Sequence, residues 1–389
     1  MRNSLDFFAV ECKIVNMERF QKQAILRDLQ KKMVLLAGPR QAGKTTLAKA
    51  IAKEFKSSVY LNYDRAEDRK IIREESWLPS VELIILDEIH KMPKWKNYLK
   101  GIYDTKLPDQ KILVTGSARL EIFNKVGDSL AGRYFLHRLM PLSPSECDKV
   151  NVSYTLDRFL ERGGFPEPFL DQNPVDADRW RLQYIDSLLR VDVLDFENIH
   201  NVNAIRLVFD LLRERVGSPI SYSSIAEDVA ISPNTVKKYI QILEALYIVF
   251  RVTPFSRNIA RSLLKEPKIY FFDVGLVKGN DGIRFENFIA VCLLKHVLAK
   301  TDYLAENYAL QYLHTKERHE VDFALIRDNH VEKMIEVKNA DHSVNPSLRY
   351  FYEKYKLPAV QVVKDLKREK VENEIEIIQG LNFLKTLYL

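Results

Sequence analysis

Residues 33–46 read MVLLAGPRQAGKTT. The opening residues are apolar without alternation, as in a strand covered on both faces. The segment GPRQAGKTT at 38–46 fits G-x-x-x-x-G-K-[ST] and leads into a helical pattern, the setting this motif requires. The alternative is a chance loop. Gly38, Pro39, Arg40, Gln41, Ala42, Gly43, Lys44, Thr45 and Thr46 therefore form a candidate nucleotide-binding stretch. Gly38 and Gly43 permit the bend, and loop N–H groups with the helix N-terminus cradle a β-phosphate. Lys44 reaches the β- and γ-phosphates, and Thr45 holds Mg²⁺.

Outward from this loop, VYLN, LIILDE and KILVTGS supply further strands of a predicted parallel sheet over residues 33–140. LIILDEIH at 83–90 carries Asp87 to a strand end, where it assists Mg²⁺, with Glu88 next to it as catalytic base. An acidic pair ending a strand is weak alone and strong beside the loop. In LVTGS at 113–117, Thr115 or Ser117 is a candidate γ-phosphate sensor, with a strand-end cap as the rival reading. In SLAGRYF, Arg133 is a candidate arginine finger in trans or sensor in cis, against an arginine in a solvated loop.

The chain has 389 residues and a net charge of +6. That length suits two or three domains, and the mild basicity permits nucleic-acid contact without requiring it. Cys12, Cys147 and Cys292 are scattered and form no metal or disulfide pattern, so a reducing cytoplasm is expected. No apolar run is long enough to cross a bilayer. An amphipathic helix opens at MERFQKQAILRDLQKK, which makes Met17 a second candidate for the translation start.

Residues 204–255 contain three helical patterns and an apolar strand, YIVFRVTPF; the third helix opens with a Ser-Pro start signal. This matches a winged helix-turn-helix. Six Lys/Arg against five Asp/Glu make the segment nearly neutral. Lys237 and Lys238 still sit where such a helix touches DNA, and Arg257, Arg261, Lys265 and Lys268 follow as a stretch that could track a backbone. A protein-binding spacer is the rival reading. Tyr239 and Tyr247 read as core, and Asp273 and Gly275 as turn formers.

HEVDFALIRDNHVEKMIEVK at 319–338 reads as a hairpin centred on Asn329. Asp322 then faces Glu336 and Glu320 faces Lys338, an unfavourable carboxylate pairing unless a cation is shared. Without one, Glu320 pairs with Lys338. Glu286 lies in one helical column with Ala290, Leu293 and Val297, toward a buried face.

GPRQAGKTT, LDEIHKMPKW, TGSARL, SLAGR and PLSPSE, in this order, resemble the small AAA-type P-loop ATPases (AAA_14) of bacteria and archaea. GGFPEPF, SPNTVKKYIQILEALYIV, PKIYFFDVGL, FEN, EVDF and IEVK resemble the DUF4143-type region that follows in those proteins. The resemblance implies ATP binding and a carboxy-terminal domain similar to PD-(D/E)XK nucleases. In that superfamily the positions matching Glu286, Asp322 and Glu336 converge on one metal, and Lys338 orients or activates a water.

The expected fold is α/β: a P-loop NTPase parallel sheet with helices, then a winged helix and a restriction-endonuclease-like domain. The expected boundaries are 17–145, 146–203 as a helical linker or lid, 204–262 and 263–389. The expected function is hydrolysis of ATP with Mg²⁺, acting on or with DNA, with a metal-dependent nuclease-like domain and homo-oligomer formation compatible with the sequence. The alternative is a nucleotide-gated DNA- or protein-binding switch whose nuclease-like fold is inert.

Overall fold

The computed structural model describes residues 19–116, 130–193, 201–256, 266–315, 317–340 and 343–389. The chain divides between Pro141 and Leu142 into two compact units. In the first, β1 (Met33–Ala37), β2 (Ser58–Asn62), β3 (Leu83–Asp87), β4 (Lys111–Thr115) and β5 (Tyr134–Arg138) form a parallel sheet in the order β2-β3-β4-β1-β5. Successive residues of a strand point to opposite faces. Accordingly Met33, Leu35, Ile84, Leu86, Ile112 and Val114 enter one apolar cluster, while Val34, Leu36, Leu83, Ile85 and Leu113 enter another. Both faces are covered, which is why these strands read as uninterrupted apolar runs.

Strand order positions the site. Because β4 lies between β1 and β3, Thr115 pairs in register with Leu36 on one side and Asp87 on the other. The carboxyl ends of three strands thus meet at the loop that follows β1. Leu47, Ala48 and Ile51 of helix Lys44–Ala52 are buried, and this anchors the helix whose N-terminus closes that loop.

The second unit opens with short helices, Pro144–Lys149, Leu156–Arg162 and Pro166–Leu170, then Pro174–Ser187. Gly163 breaks this series, as the glycine pair in GGF implies. Its φ is +71°, and an added Cβ would overlap the Asp273 carboxylate. Asp273 accepts from Gly275 N–H (3.1 Å) and Arg181 Nε (2.8 Å), so its role is the expected turn former. Helices Val202–Glu214, Tyr222–Val229 and Pro233–Ala245 follow; Ser221 and Ser232 cap the last two, and Pro233 occupies the first turn. Tyr239 and Tyr247 are buried, as expected.

Strands β6 (Val249–Pro254) and β7 (Lys268–Phe271) form an antiparallel hairpin. The far end of β6 joins an eight-stranded sheet in the order β12-β13-β11-β10-β9-β8-β6-β7. Its remaining strands are β8 (Tyr308–His314), β9 (Glu320–Arg327), β10 (His330–Lys338), β11 (Ala359–Val363), β12 (Lys370–Glu372) and β13 (Ile375–Gln379). Helix Asp281–Leu304 precedes β8 and helix Pro346–Tyr355 precedes β11, giving the α-β-β-β-α-β order expected from residue 281 onward. Because β6 belongs to both hairpin and sheet, residues 142–389 cluster as one body instead of separating at 203/204 and 262/263. Among the described residues no helix is long and apolar enough to cross a membrane.

Candidate nucleotide site and a buried carboxylate cluster

The loop after β1 is built from unusual backbone. Gly38 has φ +145°, Gln41 +60° and Gly43 +96°. Gly38 is packed so closely that an added Cβ would overlap the carbonyl oxygen of Leu139. No side chain caps helix Lys44–Ala52 at Gly43, which leaves its positive end suited to an anion. Arg19, buried behind the loop, donates to the carbonyl oxygens of Ala42 and Met140, both at 2.7 Å. Pro39 and Ala42 are buried, whereas Arg40, Gln41 and Thr45 are exposed and Thr46 is intermediate.

Lys44 is folded over the loop, its ammonium donating to the carbonyl oxygens of Gly38 (2.9 Å) and Pro39 (2.6 Å). Burial lowers its pKa to about 8, against the opposing pull of Glu88 and Asp87. Asp87 gathers three hydroxyls: Thr45 Oγ1 at 3.4 Å, Thr115 Oγ1 at 2.5 Å and the Tyr60 phenol. Burial, then the Asp87 carboxylate, raises the Tyr60 pKa. Glu88 has φ +55°, and its carboxylate lies 3.4 Å from His90 Nε2. Burial raises its pKa, and the neighbouring Asp87 charge adds to this. Thr115 is thus bound to Asp87, and Ser117 lies outside the described residues. Tyr60 carried no motif signal; only the β2–β3 pairing reveals it.

Residues 30–147 match the model of the AAA domain (AAA_14). The first unit resembles an AAA-type ATPase domain over most of its length. Residues 153–284 match a domain of unknown function, DUF8612, where a DUF4143-type region was expected. An uncharacterized protein of Mycobacterium tuberculosis, Rv2008c, is 28% identical over 246 residues, covering 63% of this chain and 55% of that protein. The chain thus spans about half the length of this mycobacterial relative. MJ1544 of Methanocaldococcus jannaschii, also uncharacterized, is 25% identical, with 92% and 86% covered. Among solved structures, the Walker-type ATPase PABY2304 of Pyrococcus abyssi overlays with a TM-score of 0.45 at 15% identity, covering 67% of this chain and 94% of that one.

Within the ATPase domain, Arg133 stands away from the nucleotide loop. Its carbonyl accepts from Met33 N–H, at the start of β1, whereas the loop follows the end of that strand. Five strand residues at about 3.3 Å each separate the two ends by roughly 16 Å. The guanidinium forms a two-pronged pair with Asp104, at 2.8 and 3.0 Å. The expectation of a cis sensor is therefore corrected: Arg133 lies at the amino-terminal edge of the sheet.

In the second unit the hairpin places Phe323 opposite Ile335. Beyond that pair the strands are bridged by side chains. Glu336 accepts from Asp322 N–H at 3.3 Å, and Asp322 accepts from Val337 N–H at 2.9 Å. Glu286 adds a third carboxylate, accepting from the Tyr270 hydroxyl at 2.8 Å. Lys338 pairs with Glu336 at 2.8 Å, not with Glu320; Glu320 instead meets Lys268 at 2.7 Å.

Burial, followed by the charge of Asp322, raises Glu286 to about 8 and Glu336 to about 7. Among the described residues no three His, Cys, Asp or Glu side chains are grouped to hold a metal ion. The carboxylates of the metal centre expected from Glu286, Asp322 and Glu336 accept from hydroxyl, amide and lysine donors. Lys268, 1% exposed, is removed from the expected DNA-tracking stretch. Arg257, Arg261 and Lys265 lie outside the described residues.

Proposed function

We propose that this chain is an ATP-hydrolysing switch that acts on DNA, with a winged helix as the DNA contact and an inert nuclease-like core. One observation carries the ATPase half: Asp87, at the end of β3, lies 3.4 Å from Thr45 Oγ1 beside the loop that holds Lys44. These hard oxygen donors suit Mg²⁺, which when bound offsets phosphate charge. Lys44 exchanges two loop carbonyls for phosphate oxygens. Glu88, whose pKa is raised by burial, accepts a proton from the attacking water.

The DNA half is supported by helix Pro233–Ala245, where Asn234, Lys237, Lys238 and Gln241 are exposed without an acidic residue among them. Such a helix can enter a major groove by the face it leaves in solvent. The α-β-β-β-α-β core has the element order of nuclease-like folds, and the lysine-occupied carboxylates favour the inert reading.

The test measures ATP turnover and nucleotide retention in Glu88→Gln, together with retention of duplex DNA by Lys237→Ala/Lys238→Ala. Glu88→Gln should hold ATP without turning it over, and the double substitution should weaken DNA binding and flatten its salt dependence by about two. Continued turnover removes Glu88 from its role; unchanged DNA binding removes the helix from the interface.

A further inference from the structure

The second unit keeps a fully buried lysine among partly buried carboxylates, a group that neither proposed role requires. Lys268 lies at its centre. It enters from β7 with its ammonium 2.7 Å from Glu320 and 3.4 Å from Asp322, and its side chain is 1% exposed. A buried ammonium is tolerated only with counter-charges at hand, and here two carboxylates of β9 provide them. Tyr270 lies two residues further along β7, on the same side of the strand, and its hydroxyl engages Glu286.

Backbone closes the same group from another direction. In the turn after helix Val202–Glu214, a Cβ on Gly217 (φ +76°) would come within 2.6 Å of Glu286 Oε1. The main chain therefore lies against that carboxylate, and Gly217 N–H donates to Ile269 of β7 at 3.3 Å. The Tyr270 ring packs on Phe323 of β9 with centroids 5.3 Å apart, although β6 and β8 stand between their strands in the sheet order. The hairpin must curl across the sheet for this contact to form. A divalent ion would have to displace the ammonium.

We infer that Lys268 is the resident cation of this cluster in place of a divalent metal, and that the cluster latches β7 and the Gly217 turn onto the α-β-β-β-α-β core. The inference goes beyond the proposed ATPase and DNA roles and stands apart from their success. It is tested by Mn²⁺ titration of the nucleotide-free full chain, followed by electron paramagnetic resonance. Wild type and Asp322→Asn should bind the same amount of Mn²⁺. Lys268→Met should acquire one additional site, lost again in Lys268→Met/Glu336→Gln.

Amide exchange at residues 217–220 and 268–271 should accelerate at least tenfold in Lys268→Met and recover in Lys268→Arg. Wild-type Mn²⁺ binding that disappears in Asp322→Asn or Glu336→Gln would overturn the inference. Should Lys268→Met fail to fold, the comparison of wild type with Asp322→Asn and Glu336→Gln still decides. ATP retention on the same samples reports separately on the nucleotide site.

Discussion

Lys44 offers a quantitative test of the nucleotide site. Its ammonium is spent on the Gly38 and Pro39 carbonyls, and burial holds its pKa down to about 8. A triphosphate favours the charged form, so binding takes up a proton wherever Lys44 is neutral beforehand. Affinity is then fully expressed below pH 8 and declines above it. With a pKa of about 8, the charged fraction is roughly 0.9 at pH 7 and roughly 0.1 at pH 9. The apparent Kd should therefore rise about tenfold between these values, or about 1.4 kcal/mol. The assay is titration with a fluorescent ATP analogue at constant ionic strength. The analogue is non-hydrolysable, so Glu88, whose charge helps hold the Lys44 pKa at about 8, stays in place. Lys44→Arg stays charged over this range, so its affinity should be level whatever its absolute value. Equal slopes in the lysine and arginine proteins would refute the reasoning.

Two further outcomes rest on the geometry. Gly38→Ala should abolish ATP retention and destabilise the ATPase domain by about 1–3 kcal/mol, since the new methyl meets a backbone carbonyl that cannot rotate away; retention equal to wild type in the same titration counts against this loop as the site. Glu286→Gln should match wild type in thermal unfolding near pH 4 and exceed it near pH 9. The folded-state pKa of Glu286 is raised from 4.5 to about 8, so wild type loses stability as pH rises through that window, by at most about 5 kcal/mol. Glutamine keeps an acceptor for Tyr270, and parallel melting temperatures at both pH values would contradict the assignment.

What was legible in the sequence was whatever local chemistry dictates. The nucleotide loop announces itself because only glycine accepts the backbone at 38 and 43 readily, and β1, β3 and β4 because both faces are covered. The fifth strand, YFLHR, carries no such mark, since only one of its five residues is fully buried. The hairpin register agrees with the sequence pattern through two compensating features. The turn occupies Asp328 and Asn329, both with positive φ, and an irregularity between Val331 and Lys333 restores the count that a turn centred on Asn329 implies. Lys268 was unreadable: a lysine opening the run KIYF looks like an exposed strand end. Its burial depends on carboxylates more than fifty residues away, brought in by a hairpin that curls over the sheet.

The wall behind the nucleotide loop ties it to the chain that leaves β5. Leu139 blocks a side chain at Gly38, its N–H donates to Ala37 (2.9 Å), and Arg19 ties Met140 to Ala42. The stretch leaving β5 is therefore fastened to the loop by steric contact, by a backbone bond and by a shared guanidinium. When Lys44 releases the Gly38 and Pro39 carbonyls to meet phosphate, those carbonyls need new partners, and the loop cannot adjust without moving Leu139 and Met140. Pro141 ends the ATPase unit immediately afterward. Any rearrangement at those two carbonyls therefore bears on Leu139 and Met140, the residues just before that boundary.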